Sequence, residues 1–247
     1  MPTRAELAEN TGKYILPRPS YPVVVTDDYT YVAGPRDAWV MDARRPNVEW
    51  ARAESRRRGV PEVVWWVGWN APDDLVAALE QHGLVPDPVQ PLLTGMTCAA
   101  EPPAAPQIAV RPIETVEQQL EALEVDFAVW SVSASERAER LEREPAQFEE
   151  DRHSGVAHLW AAYDGGRPIG FGRALDMDDG VALMGGAVLP EARGRGVYRA
   201  LVHARWLHAA ERGTPLLVVQ AGPMSAPVLD GLGFERHGEI HLFSDRL

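Results

Sequence analysis

The spacing of apolar residues in the second half of the chain predicts alternating helices and strands. Between residues 116 and 130, Leu120, Leu123, Phe127 and Trp130 recur at a helical period, so one face of this segment is expected to be buried. The run 181–189 is almost continuously apolar, as in a strand covered on both faces. The other elements expected here are a strand at 107–113, a polar helix at 133–144, a hairpin turning at 164–166, a turn at 176–180 and a strand at 216–220.

A long helix is expected after the run 181–189, separated from it by a short loop. Val197, Leu201, Ala204 and Leu207 would form its buried stripe, and Gly213 would end it. A short helix near 226–232 and a final strand around 239–244 complete this part of the chain. The order of elements predicts an α/β fold with a mixed sheet.

The segment 101–107, EPPAAPQ, is rich in proline and alanine and lacks periodicity, so we interpret it as a linker. It divides the chain into residues 1–100 and residues 108–247. The first part repeats the order helix, glycine, strand, helix, glycine, strand that closes the second part, with Gly83 in the position of Gly233. We therefore expect two related units, of which the first is incomplete because no glycine-rich loop precedes its helix.

The formal net charge of −12 argues against nucleic acid as a partner, because proteins that bind nucleic acid present a basic surface. The charge suits an amine-bearing ligand, although an acidic surface mainly serves solubility. The single cysteine, Cys98, excludes an intrachain disulfide framework. No apolar run reaches the roughly 20 residues that cross a bilayer, and the polar start lacks a secretory signal. We therefore expect a cytoplasmic protein without membrane association.

The stretch PEARGRGVYRAL, residues 190–201, joins three arginines and two glycines at the start of the predicted helix. A helix begins with about four N–H groups that lack intrahelical acceptors, and its dipole adds roughly half a positive charge there. Gly194 and Gly196 let an anion approach the backbone, while Arg193 and Arg195 offer charge-assisted hydrogen bonds. The stretch therefore predicts a site for a pyrophosphate-sized anion, with a plain solvated loop as the alternative.

Two other phosphate-binding motifs fit this stretch less well. A P-loop requires a lysine after its last glycine, and none is present here. A dinucleotide fingerprint would use Gly194, Gly196 and Ala200, but only one strand-loop-helix unit of this kind exists and hairpins precede it.

The stretch AVLPEARGRGVYRAL resembles the acyl-CoA pyrophosphate motif of the GNAT acetyltransferases, usually [QR]-x-x-G-x-[GA], which maps here onto residues 193–198. APVLDGLGF at 226–234 is similar to a later helix of that family with its Gly-Phe ending. The likeness extends over 108–247, and residues 1–100 resemble the degenerate, partial unit of tandem family members. The resemblance implies the acyl-CoA N-acyltransferase (GNAT) fold.

The resemblance also implies direct transfer of an acetyl or similar acyl group from acetyl-CoA to the amine of a small molecule. Backbone groups of Gly186, Ala187 and Val188 would bind the pantetheine arm, and the N–H near Val188 would polarise the thioester carbonyl. Trp130 would line the acceptor site. The pyrophosphate would be bound by Arg193, Gly194, Arg195, Gly196, Val197, Tyr198 and Arg199.

Three positions depart from the family pattern. Tyr198 replaces the usual glycine or alanine, Gly222 stands where an asparagine often contacts pantetheine, and Leu229 stands where a tyrosine often protonates the leaving thiolate. Such acid catalysis is typically worth about 10²–10⁴-fold. Ser225 is a substitute candidate, although a serine there also suits a helix N-cap. A non-catalytic acyl-CoA-binding module is therefore the alternative function.

No metal is expected from the sequence. His237 and His241 lie in a strand, His203 and His208 are five residues apart, and neither pair has cysteine or glutamate partners at ligand spacing. The acidic turn 176–179 lacks the twelve-residue frame of a calcium loop, and its aspartates suit a turn without any catalytic role.

Overall fold

A computed structural model describes all 247 residues, which form two compact units. One unit contains residues 98–217, and the other contains residues 1–97 together with 218–247. Both combine helices with sheet, so the α/β class with mixed strand pairing is confirmed. No helix in the chain is both long enough and apolar enough to cross a membrane.

The unit of residues 1–97 and 218–247 is a sheet with short helices. Its strands are β1 (Val23–Val25), β2 (Thr30–Ala33), β3 (Ala38–Met41), β4 (Glu62–Val67), β5 (Val85–Pro86), β6 (Leu92–Cys98), β11 (Leu217–Ala221) and β12 (Glu235–Arg246). Its helices are α1 (Arg4–Glu9), α2 (Thr11–Tyr14), α3 (Val48–Arg58), α4 (Leu75–Gln81) and α8 (Ala226–Asp230). The strands follow the order β1-β2-β3-β4-β12-β6-β11, with β5 also paired to β12. Strands β3 and β4 are parallel, whereas β12 is antiparallel to both β4 and β6.

The unit of residues 98–217 packs three helices with an antiparallel sheet. Its elements are β7 (Ala109–Pro112), α5 (Val116–Trp130), α6 (Ala134–Ser154), β8 (Ala157–Asp164), β9 (Arg167–Met177), β10 (Gly180–Val188), a 3-10 turn (Pro190–Ala192) and α7 (Val197–Glu211). The strands follow the order β10-β9-β8-β7. The predicted hairpin turn is confirmed between β8 and β9, where Gly165 and Gly166 both have positive φ angles of 55° and 86°.

The boundaries of the compact units differ from those expected from the linker. The segment 218–247 groups with the N-terminal strands rather than with residues 108–217, because β12 inserts between β4 and β6. The division into a partial repeat at 1–100, a linker at 101–107 and a second unit at 108–247 therefore stays a prediction. It describes the order of elements along the sequence, whereas the compact units follow the pairing of the strands.

Helix α6 is longer than the sequence pattern predicts. It was expected over 133–144, but it continues through Pro145 to Ser154 and ends at Gly155, whose φ is 63°. Phe148 explains the extension, because it is buried in a cluster with Leu159 and Phe171. Burial of this aromatic ring offsets the cost of the proline.

The turn expected at 176–180 is present but shorter, with only residues 178 and 179 in it, and the buried stripe expected on α7 needs correction. Asp176 is the penultimate residue of β9 and is buried. On α7, Leu207 is 45% exposed, whereas Arg205 is 1% exposed. Glycines on β9 permit this packing: a Cβ at Gly172 would lie 3.1 Å from Arg205 Cζ, so glycine leaves room for the buried arginine.

Candidate functional site

The loop between β10 and α7 has the backbone geometry that the sequence predicts for an anion site. Gly194 and Gly196 have φ angles of 74° and 89°, a region that residues other than glycine rarely adopt. Gly196 is the N-cap of α7, and no side chain caps the helix there. The start of this fifteen-residue helix is therefore open to a ligand.

Six consecutive N–H groups of this segment have no acceptor in the chain. The hydrogen bonds of the loop end with Arg193 N–H to the Pro190 carbonyl, and those of the helix begin with Ala200 N–H to the Gly196 carbonyl. Between them, the N–H groups of residues 194–199 stay unpaired. Together with the helix dipole, they form the kind of concave donor set that binds phosphate groups.

The side chains around this loop are exposed and already partly paired. Arg195 forms an ion pair with Asp164 at 2.7 Å, and its carbonyl accepts a 3.4 Å hydrogen bond from the Gln107 amide. Arg193 donates through Nε to the Val188 carbonyl at 3.4 Å. Exposed pairs of this kind are weak, so both guanidinium groups can turn toward an incoming anion.

Strand β10 carries the expected pantetheine residues directly before the loop. Gly186, Ala187 and Val188 pair with β9, and the register shifts between Leu183 and Gly186. This irregularity is a bulge, and Gly185 within it has a φ of 75°. The bulge bends the strand just ahead of the three residues whose backbone groups are expected to contact the thioester.

Tyr198 points into the protein rather than toward the loop surface. Burial raises the pKa of its phenol. A Cβ at Gly186 would lie 3.4 Å from the Tyr198 ring. The tyrosine at the usual glycine position therefore fills space beneath β10.

Arg205 is a buried charged residue that the sequence analysis did not find. Its Nε donates to the Leu201 carbonyl at 2.9 Å, and its Nη1 donates to the Arg173 carbonyl at 3.2 Å and approaches the Gly185 carbonyl at 3.5 Å. The guanidinium thus contacts the bulge of β10. The i+4 spacing of Val197, Leu201 and Arg205 was the available signal, but arginine is seldom assigned to a buried stripe.

The remaining predicted residues lie in different places. Ser225 occupies the N-cap of α8, but its hydroxyl donates to the Gly222 carbonyl at 3.2 Å and makes no capping bond to a helix N–H, contrary to that expectation. Leu229 is fully buried. Both belong to the unit that contains 218–247, whereas the glycine loop belongs to the unit of residues 98–217. Trp130, at the end of α5, is 52% exposed and is not a core residue.

A second group of polar residues was also missed by the sequence analysis. His158, Asp176 and His208 converge within the unit of residues 98–217, with His158 and His208 bonded to the two oxygens of Asp176. Burial by itself raises the pKa of Asp176, but the hydrogen bonds from the two imidazoles outweigh it and lower the pKa to about 2. The three residues come from three elements, so no sequence spacing connects them.

Comparison with known proteins identifies the class. Residues 119–223 match the model of the Acetyltransferase (GNAT) family, which confirms the predicted resemblance. Residues 119–223 thus resemble a GNAT acetyltransferase domain, which belongs to a class of enzymes that transfer acyl groups. No match was found among curated proteins.

Solved structures extend the fold assignment to nearly the whole chain. A GCN5-related N-acetyltransferase from Kribbella flavida has a TM-score of 0.67 and 16% identity, covering 99% of this chain and 96% of that one. A tandem GNAT protein from the clavulanic acid biosynthesis pathway has a TM-score of 0.60 and 16% identity, with coverages of 94% and 85%. A GCN5-related N-acetyltransferase from Sphaerobacter thermophilus has a TM-score of 0.61 and 15% identity, with coverages of 90% and 82%. The GNAT fold is thereby confirmed, including its N-terminal part.

Proposed function

We propose that the protein binds acetyl-CoA, or a related acyl-CoA, through the loop that precedes α7 and transfers the acyl group to the amine of a small molecule. The observation that carries this proposal is the run of unpaired N–H groups at residues 194–199. They lie at the positive end of the α7 dipole, and the exposed side chains of Arg193 and Arg195 belong to the same segment. A diphosphate would supply acceptor atoms for these N–H groups and negative charge for the two arginines.

The proposed reaction uses the backbone of β10 next to the loop. The amine nitrogen attacks the thioester carbonyl carbon, the C–N bond forms, and the C–S bond breaks to release the coenzyme A thiolate. Water takes the proton that the attacking amine loses. An N–H near Val188 would stabilise the oxyanion, and Gly186 and Ala187 would hold the pantetheine arm through their backbone groups. Alignment of the two reactants then supplies much of the rate.

A matched pair of glycine variants tests the cofactor site. Gly194 and Gly213 lie at opposite ends of α7 and have φ angles of 74° and 77°, and a Cβ added at either would meet no atom within 4 Å. Gly194→Asp places a negative charge at the proposed phosphate site, whereas Gly213→Asp imposes a similar backbone strain away from it. Calorimetric titration with acetyl-CoA should show binding by the native protein and by Gly213→Asp, and none by Gly194→Asp. Equal binding by the two variants would refute the site.

A non-catalytic acyl-CoA-binding module is the second candidate function. Leu229 is fully buried and offers no proton, and the hydroxyl of Ser225 is engaged with the Gly222 carbonyl, so neither supplies the acid often found in this family. Release of free thiol from acetyl-CoA, measured with a panel of primary amines, separates the two functions. Amine-dependent thiol release supports transfer, whereas binding of acetyl-CoA without turnover over the whole panel supports the module.

A further inference from the structure

A cleft with a volume of about 620 Å³ lies beside the second half of α7, within the unit of residues 98–217. His208, which lines it, comes eleven residues after Val197, so it lies roughly 16 Å further along the helix axis than the glycine loop. The cleft is therefore separate from the proposed anion site. Its walls include His158, Trp160, Ala204, Leu207, His208 and Glu211.

Three side chains with metal-ligating atoms converge here: His158 and His208 line the cleft, whereas Asp176 is buried in contact with both. His158 Nε2 lies 3.1 Å from Asp176 Oδ2, and His208 Nε2 lies 2.8 Å from Asp176 Oδ1. The two imidazole rings are 4.1 Å apart between centroids. One ligand atom from each of the three residues lies within 4.8 Å of the other two.

The topology holds these ligands in place without any flexible loop. His158 on β8 pairs with Ala174 on β9, and Asp176 lies two residues beyond Ala174, so both side chains point to the same face of the sheet. His208 reaches them from α7. Asp176 is held further by its own N–H, which donates to the Val156 carbonyl at 2.8 Å. A site built from two strands and a helix is rigid enough to retain its geometry.

We propose that His158, His208 and Asp176 form a binding site for a divalent first-row transition-metal ion such as Zn²⁺ or Co²⁺. Two imidazoles and one carboxylate are the donor types that these ions prefer. An ion with bonds of about 2.0–2.2 Å needs ligand atoms roughly 3 to 4 Å apart, which small side-chain rotations achieve here. The imidazoles line the cleft, so the remaining coordination position is accessible to water or to a ligand bound there. This proposal differs from the sequence-based expectation of no metal.

Arg212 is the group that competes for the carboxylate, because its Nε lies 3.0 Å from Asp176 Oδ2. Its two terminal nitrogens are held independently of Asp176 by the Met177 and Gly180 carbonyls and by the Thr214 hydroxyl. The guanidinium therefore needs to give up only one contact when an ion binds. Its positive charge weakens the site without blocking it, because Arg212 contacts Asp176 through Oδ2, whereas His208 contacts Oδ1.

The test uses the full-length protein without an affinity tag, titrated with Co²⁺ and followed by its visible absorption. We expect one Co²⁺ per chain, with an absorption that Zn²⁺ abolishes by competition. His158→Gln and His208→Gln should each weaken Co²⁺ binding by at least about tenfold, since even partners outside the first coordination shell are worth about 10–100-fold. Both imidazoles are only partly buried, so the variants should keep the thermal unfolding midpoint needed for the comparison.

His203→Gln is the matched control. His203 lies on the same helix, is also partly buried and contacts a carboxylate, Glu101, at 3.0 Å, but it is not part of the cluster. This variant should bind Co²⁺ as the native protein does. Absence of saturable binding to the native protein would overturn the proposal, and so would equal loss in all three variants or no loss in the two cluster variants.

Discussion

At the scale of single residues, backbone conformation contributes more to the proposed cofactor site than side chains do. The positive φ angles of Gly194 and Gly196 leave six N–H groups free, and no side chain replaces their missing acceptors. The arginines are secondary, because Arg195 is exposed and paired with Asp164. An anionic ligand must displace the Asp164 carboxylate from Arg195, and this competition leads to a prediction about a single residue.

Asp164→Asn should tighten the binding of acetyl-CoA. Asparagine preserves the turn before Gly165 and Gly166 but releases the Arg195 guanidinium for the phosphate groups. An exposed ion pair is worth about 0.2–1 kcal/mol, so the dissociation constant should fall by up to roughly fivefold. The control is Glu191→Gln, which removes one negative charge next to the loop but frees only Arg167. Equal tightening in both variants would mean that net charge, rather than Arg195, controls binding.

Arg205 leads to a second prediction at this scale, because a fully buried guanidinium without a carboxylate partner fills the space beside Gly172. Arg205→Ala should lower the free energy of unfolding by about 3–5 kcal/mol, since it removes both bulk and hydrogen bonds. Arg205→Met keeps most of the bulk and should cost about 1–2 kcal/mol. Denaturant titration measures both values. Equal losses would show that the hydrogen bonds to the Arg173 and Gly185 carbonyls matter more than packing.

At the scale of elements, the periodicity of apolar residues predicted those features of the fold that depend on residues adjacent in sequence. Helix α5 has its predicted bounds because a Thr115–Gln118 capping box starts it and a regular apolar stripe continues it. The glycine loop was predicted for a similar reason, since its glycines, arginines and following helix are adjacent in sequence. The cluster of His158, Asp176 and His208 could not be predicted, because strand register and helix packing bring its members together. Helix α6 is longer than predicted because the burial of Phe148 against other elements outweighs the local effect of Pro145.

This interpretation of α6 predicts that Pro145→Ala stabilises the protein. Pro145 is exposed in the middle of a twenty-one-residue helix, so its replacement removes no packing and restores a backbone N–H to the helix. The free energy of unfolding should rise by about 1–2 kcal/mol. This is less than the roughly 3 kcal/mol that a proline inside a helix costs, because alanine also increases the entropy of the unfolded chain. A higher thermal unfolding midpoint would support this, and a lower one would show that the protein requires the local helix distortion. Ala146→Gly, at the next exposed position, should destabilise the same helix by about 1 kcal/mol and calibrates the measurement.

At the scale of the whole molecule, the last strand of the chain is central to the unit that contains the first 97 residues. The sequence repeat predicted two successive units, but it carried no information about strand order, and β12 pairs with both β4 and β6. Side chains reinforce this long-range pairing. Arg52 on α3 forms two hydrogen bonds with Asp245 on β12, at 2.8 and 3.0 Å, and a third with the His82 carbonyl at 2.9 Å.

Arg52→Lys should therefore destabilise this unit although it preserves the charge. Asp245 is 6% exposed on its side chain, and a lysine cannot replace the paired donors that a guanidinium gives its carboxylate. The expected loss in the free energy of unfolding is about 1–3 kcal/mol, because one partner of a buried pair loses part of its hydrogen bonding. Arg57→Lys on the same helix is the control, since Arg57 is 66% exposed and its partner Glu54 is also paired with Arg58, so stability should change by less than about 0.5 kcal/mol. Similar losses in the two variants would mean that α3 depends on its surface charges rather than on its attachment to the last strand.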